Sequence, residues 1–440
     1  MNRADETGLA ARQGAASILT AVLKERRAFD DAFIAEAASG HLRNAEPRDR
    51  AFARAITATA LRRLGTIDHI LSLLIDKELP KRAGATENIL RAGLAEILFL
   101  RVAAHAAVGM NVEAASRDEN ARHFKALVNA VLRRATREGD AILDNLDTER
   151  LDTPDWLWQS WSAAYGEETA RAIVRMHYAD PPLDISVKRA EERMTIAEAL
   201  GATVLPSGTL RLEDAGRIED LPGFDDGAWW VQDAAAALPA KLLGDVTGRE
   251  VLDLCAAPGG KTAELAAAGA HVTALDRSRP RLDRLEQNLS RLGLEAKTVV
   301  ADATAYAPGR TWDLILLDAP CSSTGTARRH PDVPHLKSPA DRDKLAALQA
   351  RLLAHAATLL APGGTLVYCT CSLEPEEGVR QVEAFLAAHP AFRRQPVGVE
   401  DVAGLGEIVT GEGDLRTLPC HLAALGGLDG FYAARLTRAS

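Results

Sequence analysis

The sequence has no uninterrupted apolar run of the roughly 18 residues that a membrane-spanning helix requires. The N-terminal residues 1–7 also lack the apolar segment of a secretory signal peptide. Only five cysteines occur in 440 residues, and an odd number in a long chain favours free thiols over a disulfide framework. We therefore expect a cytoplasmic protein with reduced cysteines and no membrane contact.

The segment 251–262 contains a glycine turn but lacks the glycines of two common nucleotide-binding motifs. An apolar run, then Pro258, Gly259 and Gly260, then a helix-forming stretch predict a strand–turn–helix unit at the carboxyl edge of a sheet. A P-loop would need a glycine five positions before Gly260, where the chain has Cys255. The dehydrogenase pattern G-x-G-x-x-G is absent too. NTPase and NAD sites are therefore disfavoured. From this segment alone, a turn that binds no ligand remains an alternative.

Apolar spacing separates a helical part of the chain from a part in which strands and helices alternate. From about residue 7 to 137 the apolar residues recur on one helical face, which predicts a bundle of six or seven helices. After residue 226, apolar runs predict the strands of a doubly wound, mostly parallel α/β sheet of the Rossmann type. These runs are 251–255, 271–276, 298–302, 313–318 and 365–370, with a closing run at 430–436.

The same patterns divide the chain into three parts. We expect an all-α domain at 1–140, a linker with a small α+β subdomain at 141–225, and a Rossmann-like α/β domain at 226–440. An acid-rich stretch that ends in a proline supports the boundary after the helical part.

Three aspartates end successive predicted strands around the glycine turn, namely Asp276, Asp302 and Asp318. Asp276 lies 23 positions after Asp253, close to the spacing at which dinucleotide-binding folds place an acid on ribose hydroxyls. A single aspartate at a strand end is commonplace, because aspartate favours loops and helix caps. Three in series around a glycine turn favour an adenosine-bearing cofactor.

Cysteines follow the fourth and fifth predicted strands. Cys321 and Cys371 are far apart in sequence, but both lie where ligands bind in open α/β sheets, so we expect their thiols to meet beside the cofactor. A zinc site formed by Cys321, Cys369, Cys371 and His330 is the alternative, although the chain has no C-x-x-C pair. Cys255, on the first strand, is interpreted as a small buried hydrophobe.

The net charge of −9 argues against a surface that is basic throughout, but binding of nucleic acid depends on local patches. Arg133 and Arg134 follow the apolar face of a predicted helix. They either complement the helix dipole or form part of a phosphate-binding face. Arg328 and Arg329 lie in a predicted loop, where they either hold phosphates or face solvent.

Two parts of the chain resemble known families. Residues 7–137, with Arg-Asp-Arg-Ala-Phe at 48–52 and Ala-Leu-Val-Asn-Ala-Val-Leu-Arg-Arg at 126–134, look like the NusB family of RNA-binding helical domains. Four later blocks resemble the signature blocks of RNA cytosine-C5 methyltransferases. They are Cys-Ala-Ala-Pro-Gly-Gly-Lys at 255–261, Asp-Ala-Pro-Cys-Ser at 318–322, Arg-Arg-His-Pro-Asp at 328–332 and Thr-Cys-Ser at 370–372. Nearly the whole chain is similar to the members of that family that methylate 16S ribosomal RNA.

The resemblance to RNA cytosine-C5 methyltransferases implies roles for individual residues. It implies Cys371 as the nucleophile and Cys321 as the second catalytic cysteine, while Cys369 stands where the family usually has a non-thiol residue. The implied contacts to S-adenosylmethionine fall on Cys255, Ala256, Ala257, Pro258, Gly259, Gly260, Lys261, Asp276, Asp302 and Asp318. The implied partner is 16S ribosomal RNA, naked or in early assembly, with the NusB-like part binding RNA, and we expect a monomer.

Cytosine chemistry is compatible with a pair of thiols. Cytosine C5 is too weak a nucleophile to take a methyl group directly, but a thiolate added to C6 pushes electron density onto C5. The adduct must then lose its C5 proton, a task suited to a second thiol, while Asp318 could hydrogen-bond the N3 edge of the ring. The same chemistry on transfer RNA and a non-catalytic RNA-binding assembly factor are the alternatives. A scaffold has no need of paired thiols, and methylation of an amine needs no cysteine nucleophile.

Overall fold

The computed structural model describes residues 3–77, 79–213 and 215–440, and these form two compact units. The first contains the described residues as far as Tyr178 together with the segment Arg329–Ser338. The second contains the described residues of Ala179–Arg328 and Pro339–Ser440. Within the described ranges, no helix is both long and apolar enough to cross a bilayer.

The first unit is built from helices. They are α1 Arg3–Leu23, α2 Phe29–Ser39, α3 Pro47–Arg62, α4 Leu64–Leu74, α5 Thr86–Leu94, α6 Ala104–Arg117, α7 Lys125–Leu143, α8 Thr148–Leu151, α9 Asp155–Tyr165, α10 Glu167–His177 and, in the returning segment, α15 Val333–Leu336. Helices α1 to α7 form the predicted bundle. Leu90 and Leu94 of α5 are fully buried in one core with Leu132 of α7, as their helical spacing predicts.

The segment Arg329–Ser338 is held by side chains within the first unit. The buried carboxylate of Asp332 accepts a hydrogen bond from the backbone N of Phe29, at 2.9 Å, where α2 begins. The Nε2 atom of His335 lies 2.8 Å from the carbonyl oxygen of Leu61. The division made from the sequence assigned this segment to 226–440, because nothing local to it shows which helices it packs against.

The second unit contains a small antiparallel sheet, whose first three strands lie in the region predicted as α+β and whose fourth strand follows the predicted end of that region at residue 225. Its strands are β1 Leu183–Val187, β2 Thr203–Val204, β3 Leu210–Leu212 and β4 Trp229–Val231, in the order β2-β3-β1-β4. Helix α11, Arg193–Leu200, places Ala197 in a core with Ile185 and Trp229.

The larger sheet of the second unit has eight strands. They are β5 Glu250–Leu254, β6 His271–Asp276, β7 Lys297–Val300, β8 Trp312–Asp318, β9 Leu360–Thr370, β10 Phe392–Arg394, β11 Leu415–Thr417 and β12 Phe431–Arg438. The remaining helices are α12 Ala234–Lys241, α13 Gly260–Ala267, α14 Arg279–Leu292, α16 Pro339–Leu359 and α17 Val379–Ala388. The strand order is β10-β12-β9-β8-β5-β6-β7, and β11 pairs with β12.

Strands β7, β6, β5, β8 and β9 are parallel, and β12 joins β9 antiparallel, so the predicted α/β fold is confirmed. Leu252 and Leu254 of β5 face one core, and Val251 faces the other, because alternate side chains of a strand point to opposite faces. The chain runs outward from β5 through β6 and β7 and then returns to β8 on the other side of β5. Ligands of such sheets bind at the carboxyl ends of the strands beside this reversal.

Candidate active site

The loop after β5 turns sharply over the carboxyl edge of the sheet. Cys255 has a φ of +62° and Gly259 a φ of +105°, both left-handed conformations. A Cβ atom on Gly259 would come within 2.7 Å of the Leu285 side chain, so this position requires glycine on two counts. The hydroxyl of Thr262 donates to the Asp253 carboxylate at 2.6 Å, which ties α13 to β5. Burial raises the pKa of Asp253 to about 7.

The three strand-end acids lie at different depths. Asp276, the last residue of β6, is buried and accepts hydrogen bonds from the backbone N of Ala257, at 3.3 Å, and of Ser278, at 2.9 Å. Asp318 ends β8 and is half-buried. Asp302 is exposed and lies beyond β7, which ends at Val300, rather than at the strand end predicted. Its carboxylate instead caps the following turn, accepting from the N and Oγ1 of Thr304 at 2.8 and 2.7 Å.

These groups fit the hydrogen-bonding chemistry of S-adenosylmethionine. The ribose hydroxyls, the adenine amine and the methionine ammonium of that molecule are all donors, and the three carboxylates are acceptors. The loop that begins at Cys255 approaches the same edge of the sheet with little side-chain bulk at four of its positions, which are Ala256, Ala257, Gly259 and Gly260. The chemistry of the residues present is therefore that of an adenosine-bearing cofactor site.

The structure brings the two predicted thiols together. Strands β8 and β9 are parallel neighbours with Asp318 opposite Cys369, so the loops that follow them leave the sheet side by side. The Sγ atoms of Cys321 and Cys371 lie 3.4 Å apart. The backbone N of Gly325 donates to the carbonyl of Cys371 at 3.1 Å and joins the two loops directly.

The contact between the thiols makes their acidities unequal. A hydrogen bond from Cys321 stabilises the thiolate of Cys371 and lowers the pKa of Cys371 below its ordinary value. The same hydrogen bond, together with burial, raises the pKa of Cys321 well above its ordinary value, so Cys321 keeps its proton. Burial raises the pKa of Cys369 as well, and that of Cys255 to about 12. Of these four thiols, only Cys371 has its pKa lowered.

Lys261 and Asp318 form an ion pair next to the thiols. The Nζ of Lys261 lies 2.8 Å from Oδ2 of Asp318, and the lysine side chain is 9% exposed. Burial opposes the charged form of Lys261, but the facing carboxylate of Asp318, together with Cys369 and Cys371, raises the lysine pKa overall. Cys369 lies on the other side of the same carboxylate, with Sγ 3.4 Å from Oδ1. The site thus holds a positive charge that is fixed against an acid at the end of β8.

Arg328 is not placed to bind RNA, contrary to the prediction. It is 1% exposed, and its Nε and Nη2 atoms lie 2.6 Å from the carboxylates of Asp429 and Asp233, respectively. Its Nη1 atom donates to the carbonyl of Gly426 at 2.7 Å. A guanidinium enclosed in this way has no face left for a phosphate, so Arg328 braces the loop that carries Cys321.

The other predicted RNA contacts lie in the first unit. Arg133 is exposed, and Arg134 forms an ion pair with Glu138 at 2.8 Å on the surface of α7. Arg329 is half-buried in the segment Arg329–Ser338. The Nδ1 atom of His330, considered above as a zinc ligand, lies 3.7 Å from Asp30. Throughout the described ranges, no group of three or more His, Cys, Asp or Glu side chains is arranged to hold a metal ion.

A buried carboxylate that the sequence did not point to lies between the two thiol loops. Glu377 is fully buried and contacts both Ser322 and Ser372, the residues that follow the two thiols. Its position after Pro375 and Glu376 is typical of acids in the first turn of a helix, so the sequence alone offered no signal for this role.

Comparisons with known proteins agree with this arrangement. The family model described as 16S rRNA methyltransferase RsmB/F matches residues 240–437, and that of the NusB family matches 9–137. The chain is 37% identical to ribosomal RNA small subunit methyltransferase B of Vibrio vulnificus, over 89% of this chain and 92% of that protein. It is 36% identical to the protein of the same name from Pseudomonas putida, over 97% of this chain and 98% of that protein. The crystal structure of PH0851 superposes with a TM-score of 0.75 at 25% identity and covers 97% of this chain and 98% of that one.

The sheet and the matched family model define an S-adenosylmethionine-dependent methyltransferase, and S-adenosylmethionine is its cofactor. The NTPase and NAD alternatives are thereby set aside. The two relatives make the assignment more specific, because each aligns with most of this chain at 36% or 37% identity. The chain belongs to the ribosomal RNA small subunit methyltransferase B family and is an RNA methyltransferase.

Proposed function

We propose that this enzyme methylates C5 of a cytosine in 16S ribosomal RNA through a covalent bond between Cys371 and C6 of the base. The observation that carries the proposal is the 3.4 Å contact between the Sγ atoms of Cys321 and Cys371 at the carboxyl ends of β8 and β9. Methylation of an amine needs no thiol pair. An adduct at C6 needs one sulfur to attack and a second group to complete the reaction.

We assign cofactor binding to the loop 255–261 and to Asp276, Asp302 and Asp318. When bound, the cofactor supplies an electrophilic methyl group on a sulfonium centre. The carboxyl ends of β5, β6 and β8 form one edge of the sheet, which supports a single site for these residues. Asp276 accepts hydrogen bonds already from the loop itself, so it can orient the loop as well as contact ribose.

Cys371 is assigned as the nucleophile because its pKa is the one that is lowered. Its thiolate adds to C6 of cytosine, and the C5–C6 electron pair becomes available at C5 to take the methyl group. The addition also pushes electron density toward N3 of the ring. The Asp318 carboxylate, held 2.8 Å from the ammonium of Lys261, can accept a hydrogen bond from the amino group beside N3, while the lysine places positive charge near N3 itself.

Cys321 is assigned to the second half of the reaction. In the free enzyme its pKa is raised by the hydrogen bond that it gives to Cys371. Once Cys371 is bonded to C6 it no longer carries negative charge, so this cause of the raised pKa disappears. Cys321 can then give up its own proton to water and, as a thiolate, accept the C5 proton. The C5–C6 double bond re-forms as the Cys371–C6 bond breaks, and Cys371 leaves as a thiolate.

We infer that the RNA is ribosomal because relatives 36% and 37% identical carry that substrate in their names. We assign RNA binding to 1–140, a supporting part in it to 141–225, and catalysis to 226–440. Arg133 is exposed, and Arg134 forms its ion pair with Glu138 on the surface of α7. Both positions support contacts from α7 to phosphates. The described cysteines are free thiols, which is typical of a reducing cytoplasm. We expect a monomer that acts on naked or early-assembling 16S RNA.

Methyl-labelled S-adenosylmethionine tests this proposal. Purified 16S RNA, small-subunit particles and transfer RNA are each incubated with the enzyme, digested to nucleosides and separated by mass spectrometry. The label should appear as 5-methylcytidine in 16S RNA or in the particle that contains it. Label on another base, or in transfer RNA alone, would contradict the assigned chemistry or substrate.

A further inference from the structure

The Glu377 carboxylate connects the loops of the two thiols. It accepts hydrogen bonds from the backbone N of Ser322, at 2.9 Å, and from the hydroxyl of that residue. It also accepts one from the hydroxyl of Ser372, at 2.6 Å. Ser322 directly follows Cys321, and Ser372 directly follows Cys371. One side chain therefore holds the residue next to each thiol.

Neighbouring side chains fix Glu377 itself. The Nε2 atom of Gln349, on α16, donates to Oε1 of Glu377 at 3.1 Å and to the carbonyl of Pro320 at 2.9 Å. The phenol of Tyr368 donates to the carbonyl oxygen of Glu377 at 2.8 Å, and the hydroxyl of Thr370 does so at 3.1 Å. Glu377 is thus bound at both its backbone and its side chain to the elements that end at the thiols.

The side chain at position 377 must accept hydrogen bonds and carry no proton of its own. The groups described around the carboxylate of Glu377 are amide and hydroxyl donors, and a buried carboxylate is tolerated only when such donors satisfy it. A glutamine of the same size would turn an NH₂ group either toward the hydroxyls of Ser322 and Ser372 or toward the N–H groups of Ser322 and Gln349, so donors on that side would lose their acceptor. The usual isosteric replacement is therefore expected to separate the two loops.

We propose that Glu377 is a positioning residue that keeps the sulfurs of Cys321 and Cys371 in contact by holding Ser322 and Ser372. The proposal rests on the function assigned above to the two thiols. Glu377 touches neither sulfur, so it positions them through the loops. Its loss should lengthen the 3.4 Å contact and so weaken the hydrogen bond that stabilises the Cys371 thiolate.

The test compares Glu377→Gln with Glu376→Gln in the full-length enzyme. Glu376 belongs to the same turn, but its half-buried carboxylate pairs with Arg342 and Arg380. The rate at which iodoacetamide alkylates Cys371 is followed against pH by mass spectrometry. In Glu377→Gln the midpoint should move to higher pH, and kcat should fall by about 10²-fold with KM for RNA unchanged. Glu376→Gln should match the wild type in both measurements.

Calorimetry with S-adenosylmethionine shows whether Glu377→Gln is folded. If Glu377→Gln binds no cofactor, Ser372→Ala is measured instead, because it removes one of the donors to the Glu377 carboxylate and should move the alkylation midpoint in the same direction by less. A midpoint and kcat like those of Glu376→Gln would overturn the proposal. The alkylation profile needs no RNA, so it tests Glu377 even if the RNA product proves not to be 5-methylcytidine. If Glu377→Gln alters the alkylation profile of Cys371 but the RNA product is not 5-methylcytidine, the positioning role of Glu377 stands and the proposed function is wrong.

Discussion

Replacing Arg328 with alanine should destabilise the second unit by about 3–5 kcal/mol, the usual loss when one partner of a buried ion pair is removed. The carboxylates of Asp233 and Asp429 are 5% and 4% exposed, so neither can regain water when the guanidinium is gone. Asp233 keeps the hydrogen bond from the backbone N of Ala235, which limits the loss at that side chain. The carbonyl of Gly426 also loses its donor.

A urea titration read by labelling of Cys369 measures this loss, because that thiol is fully buried in the same unit. Arg279→Ala is the matched control, since Arg279 also pairs with two acids, Asp283 and Glu286, but on the exposed face of α14. Its unfolding midpoint should scarcely change. If Arg328→Ala shifts the midpoint no more than Arg279→Ala, the buried network does not brace the loop. If Arg328→Ala unfolds at the same urea concentration as the wild type but binds RNA with a shallower salt dependence, Arg328 is a phosphate contact after all.

Three further variants test the cofactor site, the thiol pair and the RNA surface. Asp276→Ala should weaken S-adenosylmethionine binding in calorimetry by about 1–3 kcal/mol, and an unchanged affinity would exclude Asp276 from the site. Cys321→Ala should move the alkylation midpoint of Cys371 to higher pH, because the hydrogen bond that lowers the Cys371 pKa is lost. An unmoved midpoint would mean that the thiols do not interact. Arg133→Ala should reduce the slope of RNA affinity against salt by about 1, whereas an unchanged slope would leave Arg133 as a helix-dipole partner only.

The sheet and the meeting of the thiols could be predicted because they depend on local pattern and on one rule of topology. The runs 251–255 and 313–318 are apolar at most positions, as expected for strands covered on both faces, and they overlap β5 and β8. Cys321 and Cys371 follow neighbouring parallel strands, and the carboxyl ends of such strands share one edge.

The buried polar contacts that support the site could not be predicted from the sequence, because the residues that form them are distant in the chain. Arg328 pairs with Asp233 and Asp429, 95 and 101 positions away, and before folding an arginine in a loop is typical of a solvated surface. Glu377 meets Ser322 across 55 positions. The register of strands can be inferred from apolar spacing, whereas the pairing of buried polar groups is fixed only when loops from separate strands pack together.

Trapping of a covalent protein–RNA complex tests the central claim most directly. Cys321→Ala, Cys371→Ala and Cys369→Ala are each incubated with 16S RNA and S-adenosylmethionine and run on a denaturing gel. Cys321→Ala should accumulate a band of reduced mobility, because Cys371 can still attack C6 while the base that completes the reaction is missing. Cys371→Ala should form no such band, and Cys369→Ala should behave like the wild type. A band from Cys371→Ala instead would reverse the two roles, and the absence of a band from every variant would contradict the covalent mechanism.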